Sequence, residues 1–249
     1  MSKVRIYLES RSFDETIRIE DRQLIHKAKD VLRLKNNEAV YLFDGKGKEY
    51  QYVIEKLTPT YFIAKKVALA RQEEMFSCRI VLAFPLVKEE KIDFILQKAT
   101  ELGVSEFLPF TCARSIGAFP SCAKRNRWQK IIIEAGRQAQ RLWLPILCSV
   151  VSFRDMLGYA CDTKFVATIT GEDMATIAAL HPRNILVAIG PEGDFSPEEY
   201  QLLRQNCFRF LSLSDYILRV ETAGIFAVGL LRHWLSYSGC SVGKQEKKG

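Results

Sequence analysis

Short apolar runs separated by turn-forming residues fill the first seventy positions of the chain. Residues 4–8 and 38–43 are two of them, the second beginning after the turn-prone Asn36-Asn37. Asp44-Gly45-Lys46-Gly47 is a strong turn signal, and the aromatic and β-branched residues of 49–54 follow it as a further strand. Thr58-Pro59-Thr60 turns the chain again before a strand at 61–67. One helix is predicted among these strands, over 21–31, with Leu24, Ala28 and Val31 on a shared face. Short strands at regular spacing around one small helix predict a compact β-barrel over residues 1–72.

From about residue 79 the period changes. A nearly continuous apolar strand at 79–86 leads into a helix at 89–102, where Ile92, Ile95, Leu96, Ala99 and Leu102 fall at helical spacing and Gly103 stops it. A strand at 106–110, a long helix at 127–140 and strands at 164–169 and 184–189 follow. A helix from Pro197, a strand at 208–213 and a last helix at 222–235 complete the series. Strands alternating with helices predict an α/β domain with a mostly parallel sheet over 73–240. The polar end, 241–249, is expected to be disordered.

Composition narrows the class. The formal net charge is +7, compatible with a polyanionic partner. The excess is uneven: residues 1–72 and residues 104–145 each carry a net of +5. No apolar run reaches the length of a membrane span, and the N-terminus lacks the apolar stretch of a secretory signal. A cytoplasmic protein with no membrane partner is the expectation. The seven cysteines form no C-x-x-C pair and have no histidine at metal-finger spacing, so reduced thiols and no metal are expected.

Two segments carry candidate chemistry. The first runs Asn184-Ile-Leu-Val-Ala-Ile-Gly190-Pro191-Glu192-Gly193-Asp194-Phe195-Ser196-Pro197-Glu198-Glu199. A strand apolar on both faces belongs inside a covered parallel sheet. It enters a loop whose Gly190 and Gly193 permit unusual backbone angles and close approach of a ligand. Ser196 as N-cap, Pro197 at the first helical position and Glu199 completing a capping box begin the next helix. Open α/β sheets bind ligands at such loops; a tight structural turn is the alternative. Neither G-x-G-x-x-G nor a P-loop is present, which argues against a nucleotide-dependent oxidoreductase. The second segment, Leu211-Ser212-Leu213-Ser214-Asp215-Tyr216-Ile217-Leu218-Arg219-Val220-Glu221-Thr222-Ala223, repeats the plan. Arg219 and Glu221 stand ahead of the last helix and either face a shared crevice or form a salt bridge beside a cap at Thr222. That helix is apolar nearly all round, so it is expected in the core or in a homodimer interface.

IGPEGDFSPEE and LSLSDYILRVETA together resemble the C-terminal signature of RsmE-type enzymes, RNA methyltransferases of the SPOUT superfamily. The likeness extends, in family order, to His26–Arg33 with LFDG at 42–45, QKATELGV at 97–104 and RWQKIIIEAGRQAQR at 127–141. It implies a PUA-like N-terminal barrel and a C-terminal α/β domain with a deep trefoil knot, a rare departure from ordinary chain topology. It also implies methylation of N3 of a uridine in 16S ribosomal RNA, as naked RNA or in the small subunit, with S-adenosylmethionine (SAM) as donor. By motif, the SAM site falls on Gly190, Pro191, Glu192 and Gly193, on Ser212, Leu213, Ser214, Ile217, Leu218 and Thr222, and on Thr168, Ile169 and Thr170. Three departures stand out: Asp194 replaces a usual Gly, Ser214-Asp215-Tyr216 a frequent Gly-Pro-Arg, and Val220 a usual Thr. They make the loop stiffer and less basic.

On that reading the catalytic candidates are Arg219, stabilising the oxygens of a deprotonated uracil, and Glu221, which orients Arg219. Candidates for RNA contact are Arg5, Arg33, Arg114, Arg137, Gln138 and Arg141, against a plain surface role for each. A non-catalytic RNA-binding protein with a degenerate SPOUT domain is the competing reading.

Overall fold

The computed structural model describes residues 4–9, 13–116, 119–177, 180 and 182–237. His181, Cys240 and the 241–249 tail lie outside them. The chain divides into two units, residues 1–75 with 136–144, and residues 76–135 with 145–249.

The first unit is a five-stranded sheet of β1 (Arg5–Tyr7), β2 (Thr16–Ile19), β3 (Ala39–Phe43), β4 (Lys48–Leu57) and β5 (Phe62–Gln72), in the order β1-β3-β4-β5-β2. β1 runs parallel to β3, and the other neighbours are antiparallel. β2 was not among the expected strands, although its four residues alternate exposed and buried. Ile6, Ile17, Val40, Leu42, Ile54 and Phe62, drawn from all five strands, meet in one core. The 44–47 turn closes with Gly45 and Gly47 at φ +70 and +102, a conformation that suits glycine.

Asp21 caps α1 (Arg22–His26) by accepting from the Gln23 and Leu24 amides. The helix then widens into a π-helical turn, Lys27–Val31, in which the Leu32 amide donates to the Lys27 carbonyl. That widening breaks the expected phase. Ile25 and Ala28 are buried, whereas Val31 is 64% exposed.

Arg5 requires a correction. It is 5% exposed; its guanidinium pairs with Glu49 and donates to the carbonyls of Arg137 at 2.9 Å and Arg141 at 3.4 Å. A cation so enclosed is an internal tie that holds the 136–144 segment to its own unit, and it has no face for RNA. The Leu144 amide donating to Gly45 and the Gly47 amide donating to Leu142 fasten the same segment.

The second unit is a seven-stranded sheet, every pairing of it parallel. In chain order its elements are β6 (Arg79–Pro85), α2 (Glu89–Glu101), β7 (Glu106–Thr111), α3 (Cys122–Gln138), β8 (Ile146–Leu147), β9 (Val151–Ser152) and α4 (Phe153–Leu157). Then come β10 (Thr163–Thr168), α5 (Met174–Ile177), β11 (Asn184–Ala188), α6 (Pro197–Gln205), β12 (Arg209–Ser212) and α7 (Val220–Tyr237). The sheet order is β12-β10-β11-β6-β7-β8, with β9 also on β7.

β6 lies at the centre, and its unbroken apolarity follows from that position. Ile80, Leu82 and Phe84 face a core shared with α2, α3 and α7. Val81 and Ala83 face a second core, which includes Phe153 and Met156 of α4 and Leu203 of α6. A strand covered on both sides has no polar face to keep. After the edge strand β12 the chain returns to pack α7 on β6 and α2. There Arg232 donates to the carbonyls of Gly103 at 2.6 Å and Cys78 at 3.1 Å, and its guanidinium lies over the Phe76 ring. Burial pushes that guanidinium down to about 10. α3 starts five residues earlier than the sequence pattern predicts, and Leu102, expected on the buried face of α2, is 39% exposed. No helix among the described residues is long and apolar enough to cross a membrane.

Candidate active site

Because all the strands of the second unit are parallel, their carboxyl ends emerge on one edge. β12, β10 and β11 are neighbours there, so the loops after them lie side by side. This edge is where open α/β sheets take ligands.

The loop after β10 holds Thr168, Ile169 and Thr170. It is stitched to β12: the Glu172 amide donates to Phe210 O, the Ser212 amide to Glu172 O, and Ser212 Oγ to Ile169 O at 3.2 Å. Gly171 stands inside this seam, where an added Cβ would lie 2.5 Å from the Phe210 carbonyl oxygen. Only glycine fits. The sequence reading passed over it, because a single Gly after a strand is a weak signal.

The loop after β11 corrects one expectation. Neither Gly190 nor Gly193 has a positive φ; that conformation falls on Asp194, at +62. Asp tolerates the left-handed region through local side-chain hydrogen bonds. Here Asp194 Oδ1 accepts from the Phe195 amide at 2.8 Å and from the Tyr200 hydroxyl at 2.7 Å. The departure from the usual Gly is thus accommodated on the spot. Burial, helped by the bond to Asp194, pushes the Tyr200 hydroxyl up to about 12. Gly190 is needed for space: a Cβ there would come within 3.2 Å of both Asp194 Oδ1 and the buried Phe195 ring. Ser196 caps α6, and the reciprocal bond from Glu199 completes the capping box, worth about 1 kcal/mol at the cap. Arg114, exposed on the loop after β7, donates to the Gly193 carbonyl.

In the loop after β12, Leu213 and Leu218 pack partly on the core, while Tyr216 and Ile217 are 79% and 90% exposed. The Ser214 hydroxyl accepts from the Tyr216 amide. α7 begins at Val220, two residues before its predicted start, so Glu221 and Thr222 lie in its first turn and Thr222 is no cap. Arg219 is the capping residue, its carbonyl accepting from the Ala223 amide at 2.8 Å. The expected alternatives for Arg219 and Glu221 also resolve. Arg219 is exposed and forms no ion pair among the described residues. Glu221 instead faces Lys91 of α2, with Oε2 3.7 Å from its Nζ.

Lys91 was not singled out in the sequence. Its ammonium donates to Glu192 Oε1 at 2.9 Å, so α2, the loop after β11 and the first turn of α7 meet at one cation. The Glu192 bond pushes the Lys91 amine up. Burial pushes the Glu192 carboxyl up, but the Lys91 bond and a backbone amide outweigh it and leave the carboxyl below its ordinary value.

Of the residues expected to touch RNA, Arg33 and Gln138 are exposed and Arg137 and Arg141 half-buried in the first unit, and Arg114 is exposed in the second. The described cysteines are free thiols, and among the described residues no three His, Cys, Asp or Glu side chains group as a metal site.

A parallel α/β unit with three neighbouring loops on one edge, in a chain that also carries a small sheet unit, matches a known class. Residues 74–232 match the RNA methyltransferase domain and residues 23–67 the RNA methyltransferase PUA domain, and the chain belongs to that family of RNA methyltransferases. Within the class, the relatives it resembles share one name. Ribosomal RNA small subunit methyltransferase E of Rickettsia conorii is 27% identical over 92% of this chain and 94% of its own. The protein of the same name from Neisseria gonorrhoeae, solved bound to S-adenosyl methionine, is 29% identical with TM-score 0.82, covering 93% of this chain and 98% of its own. A methyltransferase of Legionella pneumophila, solved with the cofactor SAM, gives TM-score 0.87 at 26% identity over 94% of this chain and 98% of its own.

Proposed function

We propose that this protein transfers a methyl group from SAM to N3 of a uridine in small-subunit (16S) ribosomal RNA. The observation that carries this reading is the trio of loops after β10, β11 and β12, side by side on a fold that matches SAM-bound relatives over nearly its whole length. The residues present fit the donor. At Gly190 the loop packs too closely on Asp194 and the Phe195 ring to admit a Cβ, which leaves its backbone uncovered by a side chain, and Glu221 Oε2 is buried with no hydrogen-bond partner. Backbone groups of 190–193 and 212–218, with Thr168, Ile169, Thr170 and Thr222, would hold SAM.

When bound, SAM supplies an electrophilic methyl whose bond to sulfur breaks as the bond to N3 forms. The protein's part is positioning and charge. Uracil N3 is a poor nucleophile while it keeps its imide proton, so the base must be held outside its stack and the negative oxygens left by proton loss stabilised. Arg219, with no ion pair among the described residues, carries the cation suited to those oxygens. Arg33, Arg114, Arg137, Gln138 and Arg141 would meet the RNA backbone. On this reading the enzyme works in the cytoplasm, among ribosomes. Purified protein given radiolabelled SAM and 16S RNA or small subunits should yield labelled 3-methyluridine on nuclease digestion and mass spectrometry. RNA bound without label would mean a binding protein that has lost the reaction.

The active form is, on the same reading, a homodimer. α7 buries Val220, Ala223, Ala227, Val228, Leu231 and Leu235 against its own unit. Its other side, Ile225, Phe226, Gly229 and Leu230, joins Phe94 and Leu102 of α2 around an open cavity of about 740 Å³. Phe94 and Phe226 are 46% and 44% exposed there, and apolar surface gathered in one place favours association. Light scattering should give twice 28.5 kDa, and Phe226→Glu should shift the population to monomer. A wild-type monomer at micromolar concentration would refute the dimer.

A further inference from the structure

The first unit carries an open cavity of about 650 Å³ between the turn at 58–61 and α1 with its π-helical turn. Strand alternation puts Arg18 on the outer side of β2. Its guanidinium lies over the Tyr61 ring, 4.1 Å from the centroid, and its Nε donates to Glu20 at 2.8 Å. Tyr61 is fixed in turn by Thr58, whose hydroxyl donates to the Tyr61 carbonyl at 2.8 Å and accepts from the Tyr61 amide at 3.0 Å. A planar cation backed by a ring, both held from behind, is a prepared surface for stacking.

The opposite wall is charged. Arg22, His26 and Lys29 are spaced four and three positions apart, which places them on one helix face, and all three line the cavity. His26 is bonded to Asp30 at 2.7 Å, so the two carboxylates at the cavity, Glu20 and Asp30, already hold partners. Arg22 and Lys29 form no ion pair among the described residues. Two uncommitted cations facing a stacking surface call for a ligand with an anionic group and a planar ring. The net charge of +5 over residues 1–72 favours the same ligand. The volume falls within the roughly 300–1,000 Å³ of small-molecule sites, and single π-helical turns recur at functional sites.

Resting on the reading above that RNA is the substrate, we propose that this cavity binds one unpaired nucleotide of that RNA. Its base stacks on the Arg18 guanidinium, which Tyr61 backs, and its phosphate meets Arg22 and Lys29. The nucleotide must be unpaired, because a duplex keeps its base faces inside the stack. The site adds affinity for the RNA and takes no part in the methyl transfer itself.

The test measures binding, in the absence of SAM, of a fluorescein-labelled single-stranded oligouridylate and of a labelled RNA duplex. Tyr61→Leu should weaken the single strand about tenfold, the worth of one stacked base, and leave the slope of log affinity against log salt as in wild type. Tyr61→Phe should bind as wild type does. The duplex hides its base faces, so Tyr61→Leu should bind it normally. Arg18→Gln, a change on the surface, should weaken the single strand without disturbing the packing around Tyr61. Arg22→Gln/Lys29→Gln should weaken it too, and here the salt slope should fall by about 1.4, two phosphate contacts at about 0.7 each. Lys35→Gln/Lys65→Gln removes two exposed lysines of the same unit that do not line the cavity, and should bind nearly as wild type does. With 16S RNA as methyl acceptor, the losses should appear in KM rather than in kcat. A Tyr61→Leu protein that melts and binds the single strand like wild type would overturn the proposal, as would an unchanged salt slope in Arg22→Gln/Lys29→Gln. So would a Lys35→Gln/Lys65→Gln protein weakened as much as the cavity pair. A wild type that shows this binding pattern yet methylates no RNA would take down the functional reading and leave the nucleotide site standing. An active wild type whose cavity variants bind normally would take down the site alone.

Discussion

Arg219→Ala is expected to cut methylation about a hundredfold or more while leaving fold and SAM affinity in place, the loss seen when a donor to a developing oxyanion is removed. The side chain is exposed, forms no ion pair among the described residues, and springs from the capping position of α7. Its backbone carbonyl, which alanine keeps, makes the capping bond to Ala223, so the helix start survives the change. If the guanidinium acts on charge that appears only as N3 loses its proton, its contribution belongs to the transition state. kcat and kcat/KM should then fall together, with the SAM dissociation constant unmoved. Arg219→Lys should recover part of the rate, since a compact ammonium cannot serve two oxygens as a planar fork does. Single-turnover rates at saturating SAM and RNA, with a melting curve for each variant, decide the matter. An Arg219→Ala enzyme that melts early yet methylates at the normal rate per folded molecule would sink the assignment.

Gly190→Val should weaken SAM binding sharply. The reason is room. The first added carbon would already lie 3.2 Å from Asp194 Oδ1 and from the Phe195 ring, and that ring is stacked on Phe110 and tilted against Phe153 in the core. Two branches more must push outward into the loop or displace Asp194, whose carboxylate holds the Phe195 amide and the Tyr200 hydroxyl. Overpacking of this kind costs about 1–3 kcal/mol of stability, so most of the protein should still fold at 25 °C. Calorimetric titration with SAM, read beside the melting temperature, separates pocket from fold. Normal SAM affinity in a folded Gly190→Val protein would show that the donor sits elsewhere.

The parts of the fold that could be read along the chain are those decided by neighbours in sequence. The Ser196-Pro197-Glu199 start of α6 is one, since cap, first helical position and capping box lie within four residues. The both-face apolarity of β6 and β11 is another, because burial on two sides leaves a plain compositional mark. What failed to show is decided at long range or by backbone detail. Arg5 looks like any surface cation until Glu49 and two distant carbonyls enclose it. Lys91 meets Glu192 across 101 positions, and nothing in its helical setting marks it out. The left-handed residue of the donor loop is Asp194 and neither glycine, because turn geometry, set by the Asp194 amide closing on Pro191 O, chooses the position. The start of α7 moved two residues because a Val and a Glu carry no boundary signal, and the π-helical turn shifted the face of α1 because a period of 3.6 was assumed throughout.

The tie made by Arg5 also sets a timetable. The first unit needs its segment 136–144, so the unit begun at residue 5 cannot be completed until residue 144 has left the ribosome. The second unit waits longer still: β6 pairs with β11 more than a hundred residues downstream, and β12 and α7 come last of all. Pairing across such separations is slow, because loop closure must precede any gain in contacts. A nascent chain of this protein therefore holds its central apolar strand unpaired on that side from residue 85 until residue 188 has been made. Its dependence on chaperones should be greatest in that interval, and a ribosome that stalls before residue 188 would release a product with an open sheet edge.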